Sequence, residues 1–292
     1  MAAESSAEVL GEAALSLRSH GRVALCQIVR AEGSTPGKVG WKLLARPDGT
    51  CFGNLGGGAF EAMVKADAQR MLAAVVDGGR PSRRAPGEVK RYYLTEEAVR
   101  GEPTGMVCGG MVEVFLEVIL ASPVLAICGG GPVGQALARA AAPAGFELLV
   151  AEDREAFRRP ELFPEGTRLA AVNRDYGQDF LAAVARRELY VAVVSRCWET
   201  DVAALAAVLR QAPPHLCYLG LMGSRRKVAR VRADLERRGA ELEEVCLRAP
   251  IGLPIGGDNP GEIAISILAE VIGTRYELAP SSRSLPSSSP AV

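Results

Sequence analysis

The chain changes its hydrophobic rhythm once, near residue 122. Before that point, apolar residues at helical spacing over 5–19 predict an α-helix, and "RVALCQIV" and "WKLLARPDGTCF" read as strands, the latter turning at Asp48-Gly49. The Gly-rich loop "GNLGGG" (Gly53–Gly58) leads into "AFEAMVKADAQRMLAAVV", which is again apolar at helical spacing. "VKRYYLT" and "MVEVFLEV" follow as strands. In the second, Val112, Val114, Leu116 and Val118 alternate with Met111, Glu113, Phe115 and Glu117, the period of a strand with one wet face. These elements form an α+β domain over 5–121. After the short joint Ala121–Pro123, strand and helix alternate: "VLAIC", "VGQALARAAA", "FELLVAE", "GQDFLAAVARR", "LYVAVVS", "TDVAALAAVLR", "LCYLGLM", "RKVARVRADLERR". That order predicts a parallel sheet with helices on both faces, an α/β domain over 122–278. The last helix, from Pro260 to about Thr274, is apolar nearly all round. It is expected to be buried in the core or against a second copy of the chain, and the latter case is a homodimer. The Ser/Pro-rich stretch 279–292 offers little to bury and is expected to be a disordered tail.

Composition narrows the classes. A chain of 292 residues can bury two cores. Its 34 Lys+Arg balance 34 Asp+Glu, which removes the net field that would draw it to nucleic acid or an anionic membrane. The N-terminus lacks a basic region followed by an apolar run, so no secretory signal is expected. The most apolar stretch, "MVEVFLEVILASPVLAIC", is interrupted by Glu113, Glu117 and Pro123, so no membrane span is expected either. Seven cysteines without CxxC or His-Cys spacing read as reduced thiols, and a cytoplasmic location is the expectation.

The chemistry-bearing motif is "CGGGPVGQALA", directly after an apolar strand and opening a helix. Gly129, Gly131 and Gly134 fit G-x-G-x-x-G, which makes the second domain Rossmann-like. The first glycine allows the tight turn, the second lets backbone approach a diphosphate, and the third lets helix and strand pack closely. The helix N-terminus offers free N–H groups to phosphate. Glu152 and Asp153 close the second strand, where a carboxylate can accept ribose hydroxyls and repel a 2′-phosphate. Other loops have binding character. "GLMGSRRK" places Gly223, Ser224 and Arg225 at a helix start suited to phosphate, with a solvated cap as the alternative. "IGGDNPGE" brings Glu262 to another helix start, where capping by Asp258 or Asn259 accounts for most of the pattern. In the first domain, Gly56, Gly57 and Gly58 run into a helix carrying Glu61, and "GSTPGKVG" precedes Lys42; such free backbone lets a bulky polar ligand approach. Cys108, beside two glycines in "VCGG", is a candidate soft-metal ligand. Hydride transfer needs a proton donor as well as NAD. The two histidines, His20 at a helix end and His215 at a strand start, stand at surface or capping positions.

Taken together, these motifs resemble the XdhC/CoxI family of accessory proteins for xanthine dehydrogenase and related molybdenum hydroxylases. The resemblance spans about residues 10–275 and rests on "GSTP", "GWKLL", "GNLGGGAFE", "VCGGMVEVF", "CGGGPVGQALA", "AEDRE", "LGLMGSRRK" and "APIGLPIGGDNPGEIAISILAE". It implies an α+β domain joined to a Rossmann-like one. It also implies binding of molybdenum cofactor (molybdopterin, in its simple or dinucleotide form), protection during sulfuration, and delivery to a xanthine dehydrogenase-like hydroxylase. The implied partners are that hydroxylase and a cysteine desulfurase. Two departures stand out. Ser195, Arg196 and Cys197 occupy the place where the family usually has Thr-His-Asp, so no role of that histidine carries over, although Asp201 remains. Gly37 and Lys38 follow "GSTP" where arginine is common, and Lys38 or Lys42 could substitute. Three functions stay open at this level: a cofactor chaperone that is not itself an enzyme, an NAD(P)-dependent oxidoreductase, and a docking scaffold with a vestigial nucleotide site.

Overall fold

The computed structural model describes residues 4–77, 80–81, 87–94, 102–103, 109–172, 176, 181, 184, 187–211, 213, 215–240 and 247–276. It divides into two compact units. The first runs up to Ser122 and includes Val184–Glu188; the second takes the rest from Pro123 onward.

In the first unit, helix α1 (Ser6–His20) starts on a capping box. The Ser5 hydroxyl accepts from the Glu8 N–H (3.3 Å), and the Glu8 carboxylate accepts from the Ser5 N–H (2.7 Å). It stops at Gly21, whose left-handed φ of 73° a side chain would resist. The sequence continues through β1 (Arg22–Glu32), β2 (Lys42–Ala45), β3 (Cys51–Gly53), α2 (Gly58–Ala74), β4 (Val76–Asp77), β5 (Arg80–Pro81), β6 (Gly87–Tyr93), β7 (Glu102–Pro103) and β8 (Met111–Leu120). Strands β4 and β5 pair with each other, and the others form one sheet in the order β3-β2-β1-β8-β6-β7. All its pairings are antiparallel except β6 with β7. The period of two in β8 is realised: Val112, Val114, Leu116 and Val118 are buried, and the residues between them are half-buried. The buried set packs with Ala24, Cys26 and Ile28 of β1 and with Phe60, Val64, Ala68 and Leu72 of α2. The opposite pleat of the sheet, through Val23 and Leu44, takes Val9 and Ala13 of α1.

The second unit reads β9 (Val124–Cys128), α3 (Pro132–Ala141), β10 (Glu147–Glu152), β11 (Arg168–Ala171), β12 (Leu189–Val193), α4 (Trp198–Gln211), β13 (Leu216–Leu221), α5 (Arg225–Arg237), β14 (Leu247–Arg248) and α6 (Pro260–Arg275). Its six strands are parallel, in the order β11-β10-β9-β12-β13-β14. The central strands β9 and β12 are buried at every position, as their unbroken apolar runs require. Leu125, Ile127, Leu148, Val150 and Ala192 pack with Leu137 and Ala138 of α3 and Ile267 and Val271 of α6. The alternate residues Ala126, Leu149 and Val191 are buried on the other face, where α4 contacts β12 and α5. The chain leaves β9 towards β10 and β11, then returns to place β12 on the other side of β9. The direction of travel therefore reverses between β9 and β12, the crevice where open parallel sheets bind ligands.

Helix α6 buries one side in the core of its own unit. Ala264, Ile267, Leu268 and Val271 are buried within the unit, but Ile265 on the other side is 57% exposed. The expected helix over 177–187 and the tail over 279–292 fall wholly or largely outside the described residues.

The β8 register yields a direct test. Leu116→Ala should cost about 2–5 kcal/mol through the cavity it leaves, whereas Glu117→Gln should stay within about 0.5 kcal/mol. Urea unfolding midpoints measure both, and equal losses would mean that the strand is in the wrong register.

Candidate functional site

The Gly-rich turn sits at the carboxyl end of β9, and each glycine has a distinct reason to be there. Gly129 turns the chain with φ +124°, and a Cβ on it would lie 2.8 Å from the Val194 carbonyl oxygen. A Cβ on Gly134 would lie 1.9 Å from the Gly129 carbonyl oxygen, so α3 runs directly over the turn. Gly131 is different. It precedes α3 with ordinary extended backbone, and a Cβ there would meet only the Arg154 Nη2, at 3.9 Å. The space that Gly131 leaves open belongs to no other part of the described chain. Pro132 opens the helix, and no side chain caps it, so the positive end of α3 points into that space.

Glu152 lies beneath the turn, 2% exposed. Its Oε2 accepts from the Gly130 N–H (2.7 Å) and from Arg154 Nη2 (2.9 Å), and its Oε1 accepts from the Arg154 N–H (3.0 Å) and Nε (2.8 Å). Burial alone would raise its pKa. Hydrogen bonds from the Arg154 side chain and from the backbone N–H groups of Arg154 and Gly130 outweigh that and hold it at about 2. Arg154 in turn lies 4.0 Å over the Phe157 ring. Asp153 pairs with Arg196 (3.1 Å), and Arg158 donates to the Glu152 carbonyl (3.2 Å).

Across the crevice, after β12, a second polar cluster is buried. The Ser195 hydroxyl donates to Asp201 Oδ1 (2.6 Å), and Lys227 Nζ lies 2.5 Å from Asp201 Oδ2. Asp201 is fully buried, and that burial raises its pKa against the pull of Lys227 and Ser195. Lys227 also donates to the Met222 carbonyl (3.2 Å), which ties the first turn of α5 to the end of β13. The sequence pattern singled out Gly223, Ser224 and Arg225 on this loop. Ser224 is the helix cap, accepting from the Lys227 N–H (3.3 Å); Gly223 makes room for the Lys227 stem; Arg225 is exposed.

Other candidates are engaged locally. Glu61 Oε2 accepts from the N–H groups of Leu55 (2.9 Å) and Gly57 (3.1 Å), and its Oε1 meets Lys65 (2.7 Å). The N–H groups of Asn54, Leu55, Gly56 and Gly57 in the loop before α2 are thus satisfied from within. A Cβ on Gly56 would lie 2.6 Å from the Pro36 carbonyl carbon, one on Gly37 2.1 Å from the Leu55 oxygen, and one on Gly110 2.3 Å from the Ser34 oxygen. Gly57 and Gly58 adopt positive φ (75° and 68°) at the start of the helix. In this unit, glycine lets three loops touch backbone to backbone. Lys42 donates to Ser6 Oγ and the Gly40 carbonyl (both 3.0 Å). Glu262 accepts from the Asp258 N–H (3.0 Å) beside the Asn259 cap of α6. Cys108 lies outside the described residues. Among the described residues, no group of three or more His, Cys, Asp or Glu is placed to hold a metal ion, and no helix is long and apolar enough to cross a membrane.

Arg154 and Lys227 are not singled out by the sequence, and Ser195 and Asp201 enter there only as a departure from the family pattern. The signal for Arg154 was an arginine two residues after the strand-ending acid. Nothing local flags the Asp201–Lys227 pair, which requires β12 and β13 to be neighbours.

Comparison with known proteins fits this geometry. A family model described as the XdhC Rossmann domain matches residues 125–271, and one described as the XdhC and CoxI family matches residues 16–88. The chain belongs to the XdhC and CoxI family. An Escherichia coli (strain K12) protein, "Uncharacterized protein YqeB", is 34% identical over 251 residues, covering 85% of this chain and 43% of that protein. A Bacillus subtilis (strain 168) protein, described as a probable subunit of xanthine dehydrogenase, is 29% identical over 167 residues, covering 57% of this chain and 47% of that protein. The XdhC chain thus spans less than half the length of these relatives. A solved Bacillus halodurans structure described as a xanthine dehydrogenase is 20% identical, covering 94% of this chain and 97% of that one, with a TM-score of 0.47.

The Glu152–Arg154 pair makes stability depend on pH. The native carboxyl titrates at about 2 and an unperturbed one at 4.5. The pair's contribution is therefore complete above 4.5 and is lost as pH falls from 4.5 to 2. At pH 7, Glu152→Gln should lower Tm by roughly 6–12 °C, taking about 3 kcal/mol for breaking a buried pair. Thermal melts across this range should show the wild-type advantage vanishing towards pH 2; a constant offset would contradict the assignment.

Proposed function

We propose that this XdhC-family protein holds molybdenum cofactor, protects it while its terminal sulfido ligand is installed, and delivers it to a xanthine dehydrogenase-type hydroxylase. A cysteine desulfurase, the sulfur source, and the hydroxylase, the recipient, are its partners. The Bacillus subtilis relative is described as a probable subunit of xanthine dehydrogenase, which supports a link to that class of enzyme.

One observation carries the reading: the open space at Gly131, bounded by the uncapped start of α3 at the reversal point of the sheet. A phosphate on the cofactor would meet the first-turn N–H groups of Val133 and Gly134 there, with Arg154 beside it. The surroundings are built to hold still. Glu152 fixes Gly130, and Asp201 with Lys227 and Ser195 fixes the strand end against which Gly129 turns. The chain's task is retention and release of a phosphate-bearing cargo, and no bond to the protein has to form or break.

Gly131→Trp tests this. The new Cβ would meet no backbone within 4 Å and only the movable Arg154 side chain, so the unfolding midpoint should stay close to wild type. Retention of pterin and molybdenum after anaerobic gel filtration should fall at least tenfold. A variant that is folded and retains cofactor like wild type would move the site elsewhere.

A further inference from the structure

A carboxylate at the end of the second strand of such a sheet ordinarily accepts a ribose diol. Here Glu152 stands at that position, yet it is buried, and each of its oxygens already takes two hydrogen bonds from Gly130 and Arg154. A diol arriving at the turn finds no free acceptor on it. What faces the open space is the other half of the pair. The Arg154 side chain is one-third exposed, sits over the Phe157 ring, and brings its Nη2 to 3.9 Å from where a Gly131 side chain would begin. Its orientation is set on both sides, by the carboxylate and by the ring. Two further guanidinium groups bracket the spot: Arg158 at the Glu152 carbonyl, and Arg196, which reaches from after β12 to neutralise Asp153. Both carboxylates are thus paired with arginine, and Arg154 offers donors beside the open space.

We propose that Arg154 is the specificity-determining residue of this site and makes it prefer a ligand ending in a phosphate monoester over one presenting a ribose diol. The inference rests on the reading that the turn at Gly131 receives the ligand. A monoester dianion accepts from the planar guanidinium and from the α3 N–H groups together. A diol would have to displace Arg154 from Glu152 and leave a buried carboxylate short of donors. Two sources carry such a monoester: the simple form of molybdopterin, and a 2′-phosphorylated nucleotide.

The 292-residue chain should be titrated anaerobically with two matched pairs: molybdopterin against its cytosine dinucleotide, and NADP against NAD. In each pair one member ends in a monoester and the other in a diol. At least a tenfold preference for the monoester in either pair is the expected result, and the pair that shows it identifies the source. Arg154→Lys should erode that preference, and the charge-neutral double variant Glu152→Gln/Arg154→Gln, which leaves no buried charge alone, should abolish it. Equal or reversed affinities in both pairs, or a preference that survives the double variant, overturn the proposal. So does failure of all four ligands to bind. NADP preference without any pterin binding would instead sink the cofactor-holding reading and leave this one standing. Pterin binding without discrimination in either pair would do the opposite.

Discussion

The carbonyl oxygen of Gly129 lies 1.9 Å from the point where a side chain on Gly134 would begin, and the site depends on that approach. It brings the start of α3 over the end of β9, so that the helix's unsatisfied N–H groups open at the reversal point of the sheet. Once helix and strand are this close, Gly129 must turn tightly against Val194, Gly130 must pass within reach of Glu152, and only Gly131 is left facing free space. The polar groups around the turn hold this arrangement: Glu152 from below, and Asp201 with its serine and lysine at the neighbouring strand end.

The first unit uses glycine to a different end. Its loops carry motifs as glycine-rich as the dinucleotide turn, but at three positions there the missing side chain is replaced by protein backbone, while Gly57 at the start of α2 stays open. Leu55 meets Gly37, Pro36 meets Gly56, and Ser34 meets Gly110. Glu61 supplies to Leu55 and Gly57 the negative charge that an outside anion would otherwise provide. A glycine cluster in sequence marks a close approach to its backbone, and only the fold says whether ligand or chain makes that approach.

This difference explains what the sequence made legible. The alternation through Val112–Val118, the apolar runs of β9 and β12 and the G-x-G-x-x-G spacing are periodic or local patterns, and they placed the two kinds of sheet and the turn correctly. Glu152 could be placed at a strand end, but its partner could not: whether an acid accepts from a ligand or from Arg154 is decided by how that arginine settles on Phe157. The Asp201–Lys227 pair depends on strand order, which no single stretch encodes. The hydropathy of α6 likewise could not show that Ile265 would remain outside.

Equilibrium dialysis of the purified protein against isolated molybdenum cofactor, in parallel with NAD under anaerobic conditions, tests the central claim most directly. The account requires pterin and molybdenum retained near one per chain, with NAD held far more weakly. Tight NAD binding with no pterin retained would contradict it and turn the same Gly131 turn into the cofactor site of an oxidoreductase.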